Sequence, residues 1–448
     1  MPRNRRTKGA ALAATAATAA ISLLATACTG SAESGATDDP NAKTTLTFWH
    51  GWSAPGEVAA IEANIDSFEK KHPNIKVKVV KGITDDKLNQ ALRAGGSNAP
   101  DVVSSFTTDN VGRFCSTDAL ADLKPFLEKS KIDPARTFLP QMAKYTEHEG
   151  KRCAVPLLGD AYGLYYNKKA FAEAGITAPP KTLSEFDKVA EKLTKSKGDS
   201  YRQLGFMPNF QGYETTFEHY ASQFGVRYFD AEGRSALAGD PAAKALFTWQ
   251  KNLADRLGGY KKLEKFRTGL GDEWGPKHPF HTGQVAMQLD GEWRGKMAQD
   301  ADLDFEIGAA PFPVPDDRAA DYGKGYLSGT ILGIAGVSRK QNAAWELVKY
   351  LSTDTDAVVS FANAIHNVPS TIAALKSPKL NNDPLYRTFV DIAQHPKSSH
   401  APSSVNGGAF LLTAQDLGVR YEAGREKDLD AGLKETDAQV DKDNEQAR

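Results

Sequence analysis

The sequence has no excess of charge of either sign. Lys and Arg number 55 against 56 Asp and Glu, a formal charge of −1. Four of the basic residues, Arg3, Arg5, Arg6 and Lys8, stand at the N-terminus with no acid beside them, so the remainder is mildly acidic. It lacks the basic field that a phosphate backbone requires, which excludes a nucleic-acid partner. Signatures of catalysis are missing too. There is no H-E-x-x-H, and Pro279 interrupts His278-Pro279-Phe280-His281, which removes a zinc helix. Gly325-Tyr326-Leu327-Ser328-Gly329 has its serine one place late for a G-x-S-x-G elbow, and Gly269-Leu270-Gly271 lacks the third glycine of a dinucleotide loop. No internal repeat is visible. The composition, 40% hydrophobic, 25% charged and 9% aromatic, sets aside collagenous, coiled-coil and largely disordered chains. At about 100–200 residues per domain, 448 residues allow two large domains or several small ones.

The N-terminus carries an export signal. Gly9 to Ala27 is almost wholly Ala, Thr, Ser, Leu and Ile, follows basic residues, and ends in Leu24-Ala25-Thr26-Ala27-Cys28. Small residues before Cys28 resemble the bacterial lipoprotein cleavage box, with Ala25 where the box prefers Leu. The resemblance implies that residues 1–27 are removed and that Cys28 is lipidated. An uncleaved anchor and ordinary signal cleavage are the other readings, and each places the rest of the chain outside the membrane. Residues 28–43, dominated by Gly, Ser, Ala, Asp and Pro, read as a flexible tether. Cysteine is scarce: after Cys28 only Cys115 and Cys153 remain. In an exported chain such a pair reads as a structural bridge, and closing a loop of this size contributes about 4 kcal/mol.

Strands and helices alternate through the next hundred residues. Thr45-Leu46-Thr47-Phe48-Trp49 alternates at period two, and Val58, Ile61, Ile65 and Phe68 share one helical face. Ile75, Val77 and Val79 alternate with lysines in a second strand, a helix with Leu88, Ala91 and Leu92 follows, and Pro100-Asp101-Val102-Val103 reads as a third strand. Strand, helix, strand with short loops is α/β architecture, in which ligands sit beyond the carboxyl ends of the strands. The first strand delivers His50 and Trp52 there, and the third delivers Ser105, Asp109 and Asn110. Trp49, inside its strand, reads as core.

From Cys153 to Lys168 two strand-like runs meet around Gly159-Asp160, a place where a chain can pass from one lobe to another. This run resembles the crossing strand of the extracellular solute-binding proteins that feed bacterial ABC importers of sugars, the maltose-binding-protein-like family. The loop Ala178-Pro179-Pro180-Lys181-Thr182 and the helix Leu183 to Leu193 follow in the family's order. His281-Thr282-Gly283-Gln284-Val285-Ala286-Met287 with Asp290-Gly291-Glu292-Trp293, then Gly325 to Gly329 before Ile331 to Ala335, and Ala343-Ala344-Trp345 on a helix, complete the match. The resemblance implies a two-lobed type II periplasmic-binding-protein fold. Each lobe would be a mainly parallel sheet flanked by helices, with the ligand in the cleft between. Residues 44–158 and 311–366 would form the first lobe, and 159–310 and 367–448 the second.

A sugar ring needs flat aromatic faces for its C–H surface and planar polar groups for its hydroxyls, because a buried hydroxyl without a partner costs about 1–3 kcal/mol. Trp274 and Trp293, in Gly-flanked segments, are candidate plates; Trp249 and Trp345, within helical patterns, read as core. Asp160 at the crossing, Tyr162 on the same strand face, Asp290, Tyr326, Ser328 and, more loosely, Phe410 after Gly407-Gly408 complete the ligand set. The expected protein is a monomeric receptor without cofactor or metal, lipid-anchored on the outer face of the cytoplasmic membrane. Its partners would be a mono- or oligosaccharide and the transmembrane subunits of an ABC permease. A binder of a phosphorylated polyol on the same fold is the alternative. A secreted glycoside hydrolase is the other, since Asp272/Glu273 and Asp290/Glu292 form acid pairs.

Changing Cys28 to Ala is expected to release the protein from the membrane or to stop its maturation, because stable anchoring needs the acyl chains attached there. Membrane fractionation checks this; normal processing with full retention overturns it.

Overall fold

The computed structural model describes residues 41–96, 99–208, 214–271, 273–275 and 277–448. Cys28, most of the tether and Asp272 lie outside these.

The first strand, β1 (Thr44–Trp49), buries Leu46 and Phe48. The helix Pro55–Lys71 starts with Pro near its first turn, where no N–H is needed, and buries Val58, Ile61, Ile65 and Phe68 as its periodicity predicts. β2 (Ile75–Val80) pairs in parallel with β1, and the helix Asp85–Ala94 is capped by Thr84, whose hydroxyl accepts the Lys87 N–H. β3 spans Val102–Ser105 rather than beginning at Pro100. Pro100 has no N–H to give a ladder, and the Asp101 carboxylate receives the Thr47 N–H at 2.9 Å, so strand pairing starts one residue later.

β4 runs unbroken from Val155 to Asn167, thirteen residues of which all but one are buried. The two runs read around Gly159-Asp160 are therefore one strand. Beyond it come β5 (Lys195–Lys197), β6 (Ser200–Phe206), β7 (Val285–Gly291), β8 (Ile307–Ala310), β9 (Leu327–Ile334) and β10 (Val368–Pro369). The sheet order is β2-β1-β3-β9-β4-β7-β6-β5, with β8 and β10 also on β4. The expected mainly parallel sheet is instead mixed. β1 is parallel to β2 and β3, and β6 to β7, but β4 and β9 run antiparallel to every neighbour they have. Parallel neighbours need a helical crossover between them. β9 lies between β3 and β4 and pairs antiparallel with both.

Pairing on β4 changes partner midway. Residues 155–161 lie against β9, whereas Tyr162–Tyr166 lie against β7 and Leu164–Asn167 against β8. At the change, Gly159 stands opposite Gly329. A Cβ on Gly329 would fall 2.4 Å from the Leu158 carbonyl oxygen, so that position excludes a side chain, whereas one on Gly159 would fall 1.8 Å from the end of the Met142 side chain and require it to move. One apolar core, with Phe48, Ile61, Phe68, Trp345 and Phe361, covers the β1 end. Another, with Phe186, Phe206, Phe217, Trp249 and Phe312, covers the β6 end. A third, containing Phe114, Tyr145, Ala161, Tyr165, Leu327 and Phe389, lies along β4 between them.

Cys115, in the short helix Asn110–Ser116, is bonded to Cys153 just ahead of β4, with Cα atoms 5.5 Å apart. Intact-mass analysis of exported protein is expected to show two hydrogens fewer than the reduced chain. Labelling of both thiols under non-reducing conditions would overturn the bridge.

Candidate functional site

Side chains from four separate chain segments meet at the middle of β4. Tyr162 presents its ring to His219 (centroids 4.1 Å apart), to Trp293 edge-on at 5.5 Å and to Tyr326 at 5.6 Å. His219 comes from the helix Phe217–Phe224, Trp293 from the turn after β7 and Tyr326 from the entry to β9. The Tyr162 hydroxyl lies 3.4 Å from Ser328 Oγ, which is itself 3.5 Å from Asp160 Oδ2. Trp274, 56% exposed, stands 6.2 Å from Trp293 at a shallow tilt. An aromatic wall thus adjoins a polar edge of Ser328 and Asp160.

Behind that edge is a network that sequence reasoning missed. The Asn367 amide nitrogen donates to Asp160 and, at 2.9 Å, to Glu292 Oε1, while Glu292 Oε2 accepts the Ala161 N–H at 2.9 Å. Burial pushes the Asp160 carboxyl up to about 7, against the hydrogen bonds from Asn367 and Ser328. It pushes Glu292 well above the carboxylate range, with the Asp160 charge adding to the effect. His219, 4% exposed, has its ring pushed down to about 3 by burial and so is neutral. Glu292 lies within Asp290-Gly291-Glu292-Trp293, where the local pattern favours its neighbours Asp290 and Trp293 as ligands. His219 and Asn367 carry no spacing signal, because their partners are far away in sequence.

Other expected site residues are placed differently. Trp52 is packed edge-on between Phe106 (5.4 Å) and Phe361 (4.9 Å) in the first core, because the helix Thr355–Ile365 returns to cover a tryptophan whose Gly and Ser neighbours read as open loop. His50 is fully buried beside Phe48 and Trp52, and burial pushes its ring down to about 4. Ser105 turns back to accept the Thr107 N–H at 3.1 Å. Phe410 packs on Tyr228 and Phe229 in the second core. Asp290 is fully buried, its carboxylate accepting from Arg294 Nε at 2.6 Å and the Gly291 N–H at 2.9 Å. It is therefore occupied by its own chain, its strand being buried on both faces. Asp109 and Asn110 start the helix Asn110–Ser116 against Gly407 and Gly408; burial first, then the Glu218 charge, push Asp109 up to about 7. Among the described residues no group of three His, Cys, Asp or Glu is placed to hold a metal, and no helix is long and apolar enough to cross a membrane.

A mixed sheet crossed by one long strand, with aromatic and carboxyl side chains gathered where it crosses, defines a two-lobed solute-binding protein of the type II architecture. The family described as bacterial extracellular solute-binding protein matches residues 52–358, and the chain belongs to it. The maltotriose-binding protein of Pyrococcus abyssi is 22% identical over 351 residues, 78% of this chain and 72% of that one. The sn-glycerol-3-phosphate-binding periplasmic protein UgpB of Brucella abortus is 29% identical over 160 residues, 35% of this chain and 37% of that one. Among solved structures, CpMnBP1 with mannotriose bound superposes with a TM-score of 0.76 at 25% identity, covering 89% of this chain and 100% of the other.

Replacing Arg294 by Met is expected to destabilise the fold by about 3–5 kcal/mol in denaturant titrations, because it strands the Asp290 carboxylate without its counter-charge. Adding Asp290→Asn should recover much of the loss. Unchanged stability in Arg294→Met would return Asp290 to the candidate ligand set.

Proposed function

We propose that the chain is the capture component of a bacterial ABC importer, binding a mono- or oligosaccharide between its two lobes and delivering it to the transmembrane subunits of a permease. In this reading it acts as a monomer, held at the outer face of the cytoplasmic membrane by lipid on Cys28. One lobe is 44–158 with 311–366, and the other is 159–310 with 367–448. The observation that carries the reading is the Tyr162, Tyr326, His219 and Trp293 ring cluster beside Ser328 and Asp160. Rings supply faces for sugar C–H groups, and the polar edge supplies partners for hydroxyls that would otherwise be stranded. The maltotriose- and mannotriose-binding relatives support an oligosaccharide.

A phosphorylated polyol, which the likeness to UgpB raises, would need a cation facing it. Arg294 is fully buried with its Nε on Asp290, while the acids around the cluster carry raised proton affinities, so a neutral ligand fits better. The chemistry is capture rather than turnover. Release to a permease limits useful affinity to about the micromolar range, about −8 kcal/mol. Because the aromatic and polar groups come from segments on both sides of the crossing, the site is complete only when the lobes are shut.

Thermal-shift screening over maltotriose, mannotriose, monosaccharides and glycerol 3-phosphate is expected to show stabilisation by a neutral saccharide. Trp293→Ala should weaken that binding by about 1–3 kcal/mol, Asp160→Ala by a similar amount, and small-angle scattering should show a smaller radius with the ligand. Stabilisation by glycerol 3-phosphate alone, or release of a hydrolysis product, would overturn the saccharide-receptor reading.

A further inference from the structure

The network behind the polar edge has a property that its hydrogen bonds alone define. The side chain of Glu292 is held by N–H groups: Ala161 on Oε2 and Asn367 on Oε1. An N–H can only donate, so both oxygens act as acceptors, a geometry that favours the ionised form and opposes the burial and the Asp160 charge that raise Glu292. Asp160 is different. Its Oδ1 accepts from the other N–H of the same Asn367 amide, but among the described residues its Oδ2 faces the Ser328 hydroxyl, at 3.5 Å, and a hydroxyl can accept as well as donate. One amide group clamps both carboxyls, so the two acids are held close together in a place that excludes water: Glu292 is 1% exposed and Asp160 9%. Two ionised carboxylates cannot share such a site without a counter-cation.

Among the described residues, the groups packed around the pair supply none. They are Tyr145 from the helix Pro140–Tyr145, with His400 edge-on to it, Tyr162 of β4, Ser328 of β9, and Tyr386 from the helix Pro384–Gln394, which donates to the Asn367 carbonyl at 2.8 Å. On the β7 side is Tyr165, donating to the Gly291 and Glu292 carbonyls, and beyond it the closed pair Asp290 and Arg294. Asn367 reaches the pair because His366, at the end of the helix Thr355–Ile365, adopts the left-handed conformation (φ 59°) and turns the chain toward β4.

We infer that Asp160 and Glu292 hold one proton between them at neutral pH, carried on Asp160 Oδ2, and that Asn367 is the positioning residue that aims this O–H along the polar edge. Asp160 then meets its ligand as a hydrogen-bond donor, which selects an acceptor oxygen of the solute where an ionised Asp would select a hydroxyl hydrogen. The ligand role rests on the saccharide reading above; the shared proton does not.

The test is a pH titration of ligand-free protein carrying 13C-labelled Asp and Glu carboxyls, read by NMR in the wild type, Glu292→Gln and Asn367→Ala. At pH 7 the wild type should show Asp160 protonated and Glu292 ionised, with the pair titrating in two separated steps. Glu292→Gln should move the Asp160 step down by about one pH unit or more, as its anionic neighbour is gone, and Asn367→Ala should move the upper step up, as the donor favouring the charged forms is lost. Two ionised carboxylates in the wild type at pH 7, a reading that needs neither variant to fold, would overturn the shared proton. A proton on Glu292 instead would overturn the donor role, and an upper step unmoved in Asn367→Ala would overturn the positioning role. Failure of every saccharide in the thermal-shift screen would remove the ligand role and leave the titration result as it stands.

Discussion

A strand buried on both faces over thirteen residues has no water to satisfy its backbone, so both of its edges must be paired by the chain itself. β4 is that strand, and much of the architecture follows from meeting its demand. β9 covers its first half, β7 and β8 cover its second, and β10 closes the edge at Leu158 and Gly159. Each of these arrives from a distant part of the chain. The result is a sheet whose two ends have separate cores and whose centre carries a third along β4.

The same dryness governs the polar chemistry at the crossing. Near the change of pairing, Gly329 lies too close to the backbone of β4 for a side chain, and the neighbouring Asp160 is enclosed there. A carboxyl there is stable only with hydrogen-bond partners and without a full charge on each neighbour. Asn367 and the Ala161 N–H meet that condition for Glu292, and Asn367 with Ser328 for Asp160. Asp160 Oδ2 is the least firmly held oxygen of the pair, and it lies on the side of Ser328, Tyr162 and the aromatic rings.

Aromatic residues divide between two duties according to what covers them. Phe361 closes over Trp52, and Tyr228 and Phe229 close over Phe410, so those rings serve the cores. Trp293 is only partly covered, leaning on Tyr162 and neighbouring the exposed Trp274.

Local pattern sufficed wherever a residue's environment is set by its near neighbours. The period-two alternation of β1, the apolar face of the helix Pro55–Lys71 and the span of the helix Leu183–Leu193 were all legible, since pleat and helical pitch act over a few residues. So was the placing of Trp249 and Trp345 in cores. Strand direction and the far partners of each side chain were not. Trp52 between Gly and Ser reads as open until Phe361, some three hundred residues later, is laid over it; Asp290 reads as available until Arg294 is seen to close on it in a buried turn. Asn367 has nothing in its own neighbourhood to mark it, because what makes it matter is the meeting of Asp160 and Glu292 across three segments. Packing over such sequence distances is decided by the closing of the whole sheet around β4, and no window of sequence contains it.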